Sequence, residues 1–237
     1  MRHLWPLLAL FLSAPAAAQT VGGIPGPGVR ADDRSAQVRV AFAPGSDGRE
    51  DRWAARLHYQ RGINDHLRWR VVAFGGDFEG PLELTSLQGE LQWEVDSDPQ
   101  WGKALRFDAR LTDGDDGADQ LGLVAMNQFR LSDAAYARLD VFGNIQLGND
   151  RSSGIGVELR GRLGYKLDGD TEVFLDSFNN LGRGANFGEL KRNRERLGPG
   201  VSHRLGKGWS VLGGVLFGLN SVTPDTDVRV WLGKSFE

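Results

Sequence analysis

Residues 153–167 read SGIGVELRGRLGYKL, a stretch in which alternate side chains are apolar. Val157 and Leu159 have one parity, whereas Glu158 and Arg160 have the other. Because a β-strand points successive side chains to opposite faces, this segment has one apolar face and one charged face. Its fifteen residues exceed both the usual strand of ~5–6 residues and the ~9–11 that cross a bilayer obliquely. The stretch therefore predicts a membrane-spanning β-strand.

The same alternation recurs along most of the chain. It predicts an all-β fold, a single transmembrane up-and-down antiparallel β-barrel of about twelve strands over residues 35–237. The sixth and ninth segments alternate less clearly, because Val124 and Met126 lie opposite the other apolar residues of the sixth and Phe174 shares a parity with acidic residues in the ninth. The predicted strands are 35–43, 52–60, 67–73, 85–95, 103–112, 120–129, 135–147, 153–167, 171–178, 194–205, 209–219 and 226–236.

The N-terminus has the layout of a secretory signal. MRHLWPLLALFLSAPAAAQT combines a basic start, an apolar stretch and a small-residue site, which predicts a signal peptide over residues 1–18 with cleavage before Gln19. Residues 19–34 are rich in Gly and Pro without a period and predict a flexible lead-in. We expect export to the outer membrane of a Gram-negative bacterium. A soluble periplasmic β-protein is the alternative.

Composition narrows the class of protein further. The chain has no cysteine, which excludes disulfides and a lipoprotein anchor. A net charge of -3 argues against a general nucleic-acid binder, which usually has a strong basic excess. The mean hydropathy of -0.35 does not separate a soluble protein from a barrel with a polar lumen. Composition leaves the oligomeric state open.

The connections and the aromatic residues give two further indications of a barrel. Short links at 61–65, 96–102, 132–134, 168–170 and 206–208 alternate with longer ones at 44–51, 75–82, 113–118 and 179–193. Bacterial barrels alternate short periplasmic turns with longer outer loops in this way. Amphipathic rings favour the membrane interfaces. We therefore expect one interfacial girdle on the apolar parity beside the short turns and the C-terminus, formed by Tyr59, Trp93, Tyr165, Trp209 and Phe236.

The last segment, TDVRVWLGKSFE, resembles the C-terminal signature of outer-membrane β-barrel proteins. Val228, Val230 and Leu232 alternate toward the aromatic Phe236, although Lys234 and the final glutamate depart from the pattern. The resemblance concerns small porin-like barrels of about twelve strands and names no subfamily. It implies insertion by the barrel-assembly machinery and a surrounding of outer-membrane lipid and lipopolysaccharide.

The charged parity predicts the lining of the lumen. Arginine binds carboxylate and phosphate bidentately, so this wall favours a porin-like channel or transporter for small anionic solutes, similar to small acidic-oligosaccharide channels. Alternatively, the charges pair across strands and fill a plugged structural or surface-binding barrel. The predicted lining residues are Arg39, Arg56, Arg68, Arg70, Arg106, Arg110, Arg138, Arg160, Arg162, Arg204, Arg229, Glu90, Glu94, Asp108, Asp140 and Glu158, with Glu172 and Asp176 on the same parity.

Catalytic and cofactor sites are not predicted. Outer-membrane lipid hydrolases use Ser and His on one face, but Ser202 directly precedes His203, so the two side chains of one strand point to opposite faces. His58 and His66 are the other histidines of the mature chain and have no evident nucleophile beside them. A lipid-modifying enzyme is thus the weakest alternative. The acidic loop 113–119 is interpreted as a solvated turn rather than a calcium site. We expect no metal or cofactor, and a lipopolysaccharide contact at Lys191, Arg192, Arg194 and Arg196.

Overall fold

The computed structural model describes residues 21–45, 51–77, 83–113, 117–149, 151–189 and 193–236, except the side chains of positions 77 and 185. Twelve β-strands form one closed barrel in which every strand is antiparallel to its two neighbours. The last strand closes on the first, for example with Val40 opposite Val230. The strands are β1 (Arg34–Ala43), β2 (Arg52–Gly62), β3 (Leu67–Asp77), β4 (Glu83–Ser97), β5 (Trp101–Thr112), β6 (Asp119–Arg130), β7 (Ala135–Leu147), β8 (Gly156–Lys166), β9 (Thr171–Arg183), β10 (Glu195–Gly206), β11 (Trp209–Gly218) and β12 (Thr226–Ser235).

The predicted all-β, up-and-down, twelve-strand barrel is confirmed. Strand β4 shows the alternation most clearly, since Gln88 and Gln92 are buried inside while Leu87 and Leu91 are exposed outside. Similar apolar side chains cover the outer wall of the other strands. A wall of this kind is the one that barrels present to lipid hydrocarbon. Among the described residues, no helix is long and apolar enough to cross a membrane.

Some strand boundaries differ from those predicted. Strand β8 begins at Gly156 rather than at residue 153, because Gly154 has a φ of +87°, a left-handed conformation that ends the extended backbone. Strand β9 extends to Arg183, five residues beyond its prediction. The mixed pattern of β6 has a simple cause, since Val124 and Met126 point inward and are each 1 % exposed. The inner wall is therefore not uniformly polar.

The two ends of the barrel differ in the length of their connections. We call the end with the links β2–β3, β4–β5, β6–β7, β8–β9 and β10–β11 the turn end, and the opposite end the loop end.

In the β8–β9 turn, the carboxylate of Asp168 accepts hydrogen bonds from the backbone N–H groups of Asp170 at 2.8 Å and Thr171 at 2.6 Å. These backbone hydrogen bonds lower the pKa of Asp168.

Residues 21–31 enter the barrel, and they belong to the segment 19–34, whose flexibility stays a prediction. Val21 is 1 % exposed and Ile24 is 2 % exposed. The segment runs from the turn end, where the N–H of Ala31 donates to Asp65 Oδ1 at 3.1 Å, toward the loop end. Gly and Pro give it no regular secondary structure of its own, so the barrel wall supplies its hydrogen-bond partners.

Candidate functional site: the barrel lumen

Most of the predicted lining residues lie inside the barrel. Arg39, Arg56, Arg68, Arg70, Arg106, Arg160, Arg162, Arg229, Glu90, Glu94 and Asp140 are buried, and Arg110, Arg138, Asp108 and Glu158 are half-buried. The exception is Arg204, which has the inward parity but is exposed at the rim of the turn end, where its guanidinium is 3.5 Å from the carbonyl oxygen of Gly169. A strand extends beyond the packed interior at its ends, so parity alone does not identify a lumen residue.

Glu90 is the centre of one charge cluster. Its carboxylate is 3.1 Å from Arg56, 2.7 Å from Arg70 and 3.5 Å from Arg106. Arg70 is its direct cross-strand partner on β3. Asp108 is its partner on β5, and Arg106 lies between these two acids with an ion pair of 2.7 Å to Asp108. The arginine thereby offsets the repulsion of two carboxylates that face each other across neighbouring strands.

Asp176 is the centre of a second cluster on the other side of the lumen. Its carboxylate accepts two hydrogen bonds from Arg162, at 2.6 Å and 2.8 Å, in a bidentate pair, and one from Arg229 at 3.1 Å. Both Asp176 and Arg229 are fully buried. A bidentate guanidinium–carboxylate pair is among the stronger polar contacts in proteins. This cluster therefore holds β8, β9 and β12 together across the interior.

Several lumen arginines lie over aromatic rings, including Arg56 on the Glu90 side, 5.1 Å from the ring centre of Phe74. The guanidinium of Arg162 is 3.7 Å from the ring centre of Phe174, and that of Arg39 is 3.8 Å from the ring of Trp231. Arg229 lies 5.3 Å from the ring of Phe178. The face of an aromatic ring is electron-rich and attracts a cation. These rings account for the mixed sequence pattern of β9, where aromatic and acidic residues share the inward parity.

Three lumen arginines have only neutral oxygen acceptors among the described residues. Arg39 donates to Gln37 and to a backbone carbonyl, Arg110 to Gln88, and Arg138 to Gln128 and a backbone carbonyl. Amide acceptors satisfy hydrogen bonds but carry no negative charge. Among the described residues none of these three guanidiniums is in an ion pair, although the lumen also contains Asp140, a buried carboxylate without a hydrogen-bond partner there.

The structure adds one buried pair that sequence reasoning missed and thereby corrects a prediction. Arg196, expected at an outer lipopolysaccharide contact, is 1 % exposed and its Nε lies 2.5 Å from Asp227 Oδ2 inside the barrel. Both residues have the inward parity of their strands, β10 and β12, which predicts a position in the lumen. The basic residues around position 194 favoured an outer surface instead. Arg194 is half-buried, and positions 191 and 192 lie outside the described residues.

Apolar side chains also line the lumen. They form groups that each join residues of different strands. The rings of these groups lie against the guanidiniums of Arg160, Arg162 and Arg39. The groups are Ala104, Val124, Met126 and Phe142 in one, and Phe174, Leu212 and Trp231 in another.

The histidines do not form a catalytic arrangement in the part of the chain that the structure describes. His203 points outward, and its Nδ1 lies 3.0 Å from Thr171 Oγ1. Ser202, the preceding residue, has the inward parity of Leu212, its partner on β11. His58 is buried in the lumen, and His66 is exposed in a turn. The described residues include no group of three or more His, Asp or Glu side chains that could hold a metal ion.

The aromatic residues of the predicted girdle lie on the outer wall near the turn end. Four of them are substantially exposed, and the fifth, Tyr59, is half-buried because it accepts a hydrogen bond from Arg34 at 2.9 Å and lies 5.6 Å from the ring of Trp69. Their contact with a membrane interface stays a prediction. The exposed four are Trp93, Tyr165, Trp209 and Phe236.

The fold is shared with solved outer-membrane porins. The KdgM porin, solved in complex with disordered oligogalacturonate, superimposes with a TM-score of 0.66 at 11% identity, covering 86% of this chain and 99% of that one. The NanC porin gives a TM-score of 0.60 at 12% identity, covering 85% and 99%. An outer-membrane channel from Pseudomonas putida F1 gives 0.61 at 10% identity, covering 88% and 97%. No family model matches the sequence, and no curated protein does. At these identities the likeness establishes the small twelve-strand porin-like fold.

Proposed function

We propose that the protein is an outer-membrane channel for small anionic solutes. The observation that carries the proposal is the set of lumen arginines without a carboxylate partner, Arg39, Arg110 and Arg138. A guanidinium without a carboxylate in contact favours anions over cations, and the guanidinium fork suits carboxylate oxygens. Solved barrels of the same fold include the KdgM porin with oligogalacturonate, an acidic oligosaccharide. This likeness supports the proposal.

The proposal includes the cellular location and the partners. The N-terminal signal supports export, and the apolar outer wall supports an outer-membrane position surrounded by lipid and lipopolysaccharide. The C-terminal strand supports assembly by the barrel-assembly machinery. Alkaline carbonate extraction of membranes tests the location, because a soluble periplasmic protein would be released and an integral barrel would stay in the pellet.

Ion selectivity in planar lipid bilayers tests the channel. In a salt gradient, we expect a reversal potential that corresponds to anion preference. The double variant Arg110→Gln/Arg138→Gln should lose most of this preference, because it removes two positive charges that contact no lumen carboxylate. Arg204→Gln is the matched control, since Arg204 is exposed at the rim. Well-folded protein without discrete openings, or with cation preference, would contradict the proposal.

Transport is favoured over catalysis by the geometry of the only adjacent Ser and His. Ser202 points inward and His203 outward, so they cannot act on one bond. We therefore expect no release of acyl chains when the purified barrel is incubated with phospholipid and lipopolysaccharide. Acyl release that depended on either residue would favour an enzyme instead.

A closed structural barrel is the second candidate, and one observation favours it. Phe178, Leu216, Asp176 and Arg229 are fully buried in the interior, and residues 21–31 lie there too. A lumen filled in this way needs a movable part before a solute can pass.

A further inference from the structure

Residues 21–31, which we call the plug segment, hold a position inside the lumen through arginines. Arg39 Nη1 donates to the carbonyl oxygen of Val21 at 3.2 Å, Arg160 Nη1 to that of Gly23 at 3.1 Å, and Arg138 Nη1 to that of Ile24 at 3.2 Å. The three acceptors lie within the four residues 21–24, and the donors come from the three strands β1, β7 and β8. Three lumen arginines thus converge on a short row of neutral oxygens.

The part of the plug segment nearer the turn end is also bound by polar side chains. Gln92 Nε2 donates to the carbonyl oxygen of Pro27 at 2.8 Å, and the N–H of Val29 donates to Glu94 Oε2 at 2.7 Å. Both residues are on β4, near the turn end. The segment therefore has ordered contacts over most of its length.

The plug segment also packs against apolar side chains of the barrel wall. Val21 packs in one buried group with Ala41, Ala54, Val72 and Phe74. Ile24 packs with Phe178 and Leu216. With the predicted cleavage before Gln19, two residues would precede Val21 in the mature chain. That cleavage would give the segment a short free end that can withdraw from the lumen.

We propose that the plug segment is displaceable and that its carbonyl oxygens occupy the positions at which Arg39 and Arg138 bind the anionic groups of the solute, while Arg160, which holds Glu158 in a bidentate pair, positions the segment. This inference rests on the proposed function and specifies its binding residues. A carboxylate brings a full negative charge and can accept two parallel hydrogen bonds from one guanidinium, whereas a carbonyl is neutral and accepts through one oxygen. An anionic solute therefore competes for Arg39 and Arg138, and the solute path opens when the segment leaves.

Deletion of residues 21–29 tests whether the segment closes the path. The deletion keeps Asp33 and its ion pair with Arg68, which anchor the start of β1. We expect single-channel conductance to rise about twofold or more, because twelve strands lie between the barrels that side chains fill and those with an aqueous channel. Arg30→Ala is the matched control, since Arg30 belongs to the segment but is largely exposed, and it should leave conductance unchanged.

Cysteine labelling tests displacement directly, because the chain contains no other cysteine. In Val21→Cys, a membrane-impermeant maleimide should react at least about tenfold more slowly than in Ile63→Cys, whose side chain is exposed in a turn, because reaction needs local opening. A short oligogalacturonate should accelerate labelling at position 21, and maltotriose, a neutral sugar, should not. Equal rates with both sugars would overturn displacement by anions.

The outcomes separate this inference from the proposed function. Conductance that is equal in the wild type and the deletion variant would refute the plug and leave the channel standing. If neither the wild type nor the deletion variant showed openings in bilayers, the channel would be refuted, and with it the displacement of the segment by an anionic solute. If the deletion variant does not fold, Ile24→Asp gives the same readout by placing a charge against Phe178 and Leu216. Unchanged openings in that variant would overturn the inference.

Discussion

On the β2–β5 side of the lumen, three arginines share the carboxylate of Glu90, whereas on the β8–β12 side two arginines share Asp176 and lie against aromatic rings. The first side also has a second acid, Asp108, which pairs with Arg106 at 2.7 Å, and its Arg56 lies 5.1 Å from the ring centre of Phe74. The second side combines Asp176 with a closer ring, that of Phe174, 3.7 Å from Arg162. One interior therefore stabilises buried arginines mainly through carboxylates on one side and through a carboxylate with a close ring on the other.

Loss of the Glu90 carboxylate should produce the largest effect. Glu90→Gln keeps the shape but leaves Arg56 and Arg70 without their carboxylate partner and Arg106 with Asp108 alone, and breaking a buried pair on one side costs about 3–5 kcal/mol. Urea unfolding in detergent micelles measures the free energy of unfolding. Glu83→Gln is the control, because Glu83 is exposed on the same strand. Equal costs for the two variants would show that the Glu90 cluster does not stabilise the barrel.

Asp176→Asn tests the other side and should cost somewhat less, about 3 kcal/mol, because Arg162 keeps Glu172 at 3.8 Å and the close ring of Phe174. The same unfolding measurement applies. Asp225→Asn, in the exposed β11–β12 connection, serves as its control. A cost above that of Glu90→Gln would reverse the comparison between the two sides.

Gly200→Ala sharpens the comparison by disturbing a ring without touching a charge. A Cβ at Gly200 would lie 2.3 Å from Cζ of Phe174 and 3.0 Å from the carbonyl oxygen of Gly213, so the ring must move off Arg162. Overpacking of this kind costs about 2 kcal/mol. Gly89→Ala is the matched control on β4, since its Cβ meets nothing within 4 Å. Equal melting temperatures for the two variants would contradict this close contact.

Phe174→Leu should produce the smallest effect. It removes the ring over Arg162 but keeps an apolar side chain, and a cation–π contact contributes about 1 kcal/mol. The relevant quantity is the unfolding free energy beyond that lost in Phe107→Leu, an outward residue that is 54% exposed. No difference between these two variants would mean that the rings of the second side do not help to neutralise its arginines.

Strand β4 shows how much of the fold could be predicted from the sequence. Its alternation of Gln and Glu with Leu and Trp is local, and the structure places every one of these side chains on the expected face. The same alternation places the predicted lining residues, of which Arg39 is the first and Arg229 the last along the chain, inside the barrel. Arg204, at the rim, is the exception. The solute that they would bind is not encoded in this pattern.

Strands β6 and β10 show why the rest of the site could not be predicted. Val124 and Met126 face the lumen as part of an apolar group assembled from three strands, and Arg196 meets Asp227 across the interior. Such partners depend on the register of each strand pair and on the closure of the barrel. A sequence read segment by segment contains neither.

The plug segment shows most clearly which features follow from the sequence and which follow only from the tertiary structure. The sequence by itself determined twelve alternating strands, their apolar outer wall and their arginine-rich inner parity, because side-chain direction in a strand depends only on position along the chain. Only the tertiary structure decided that Arg138 and Arg160 bond to carbonyl oxygens 114 and 137 residues away. A Gly- and Pro-rich segment has no pattern that predicts a location. Its place depends on arginines that are brought together only when β12 closes on β1.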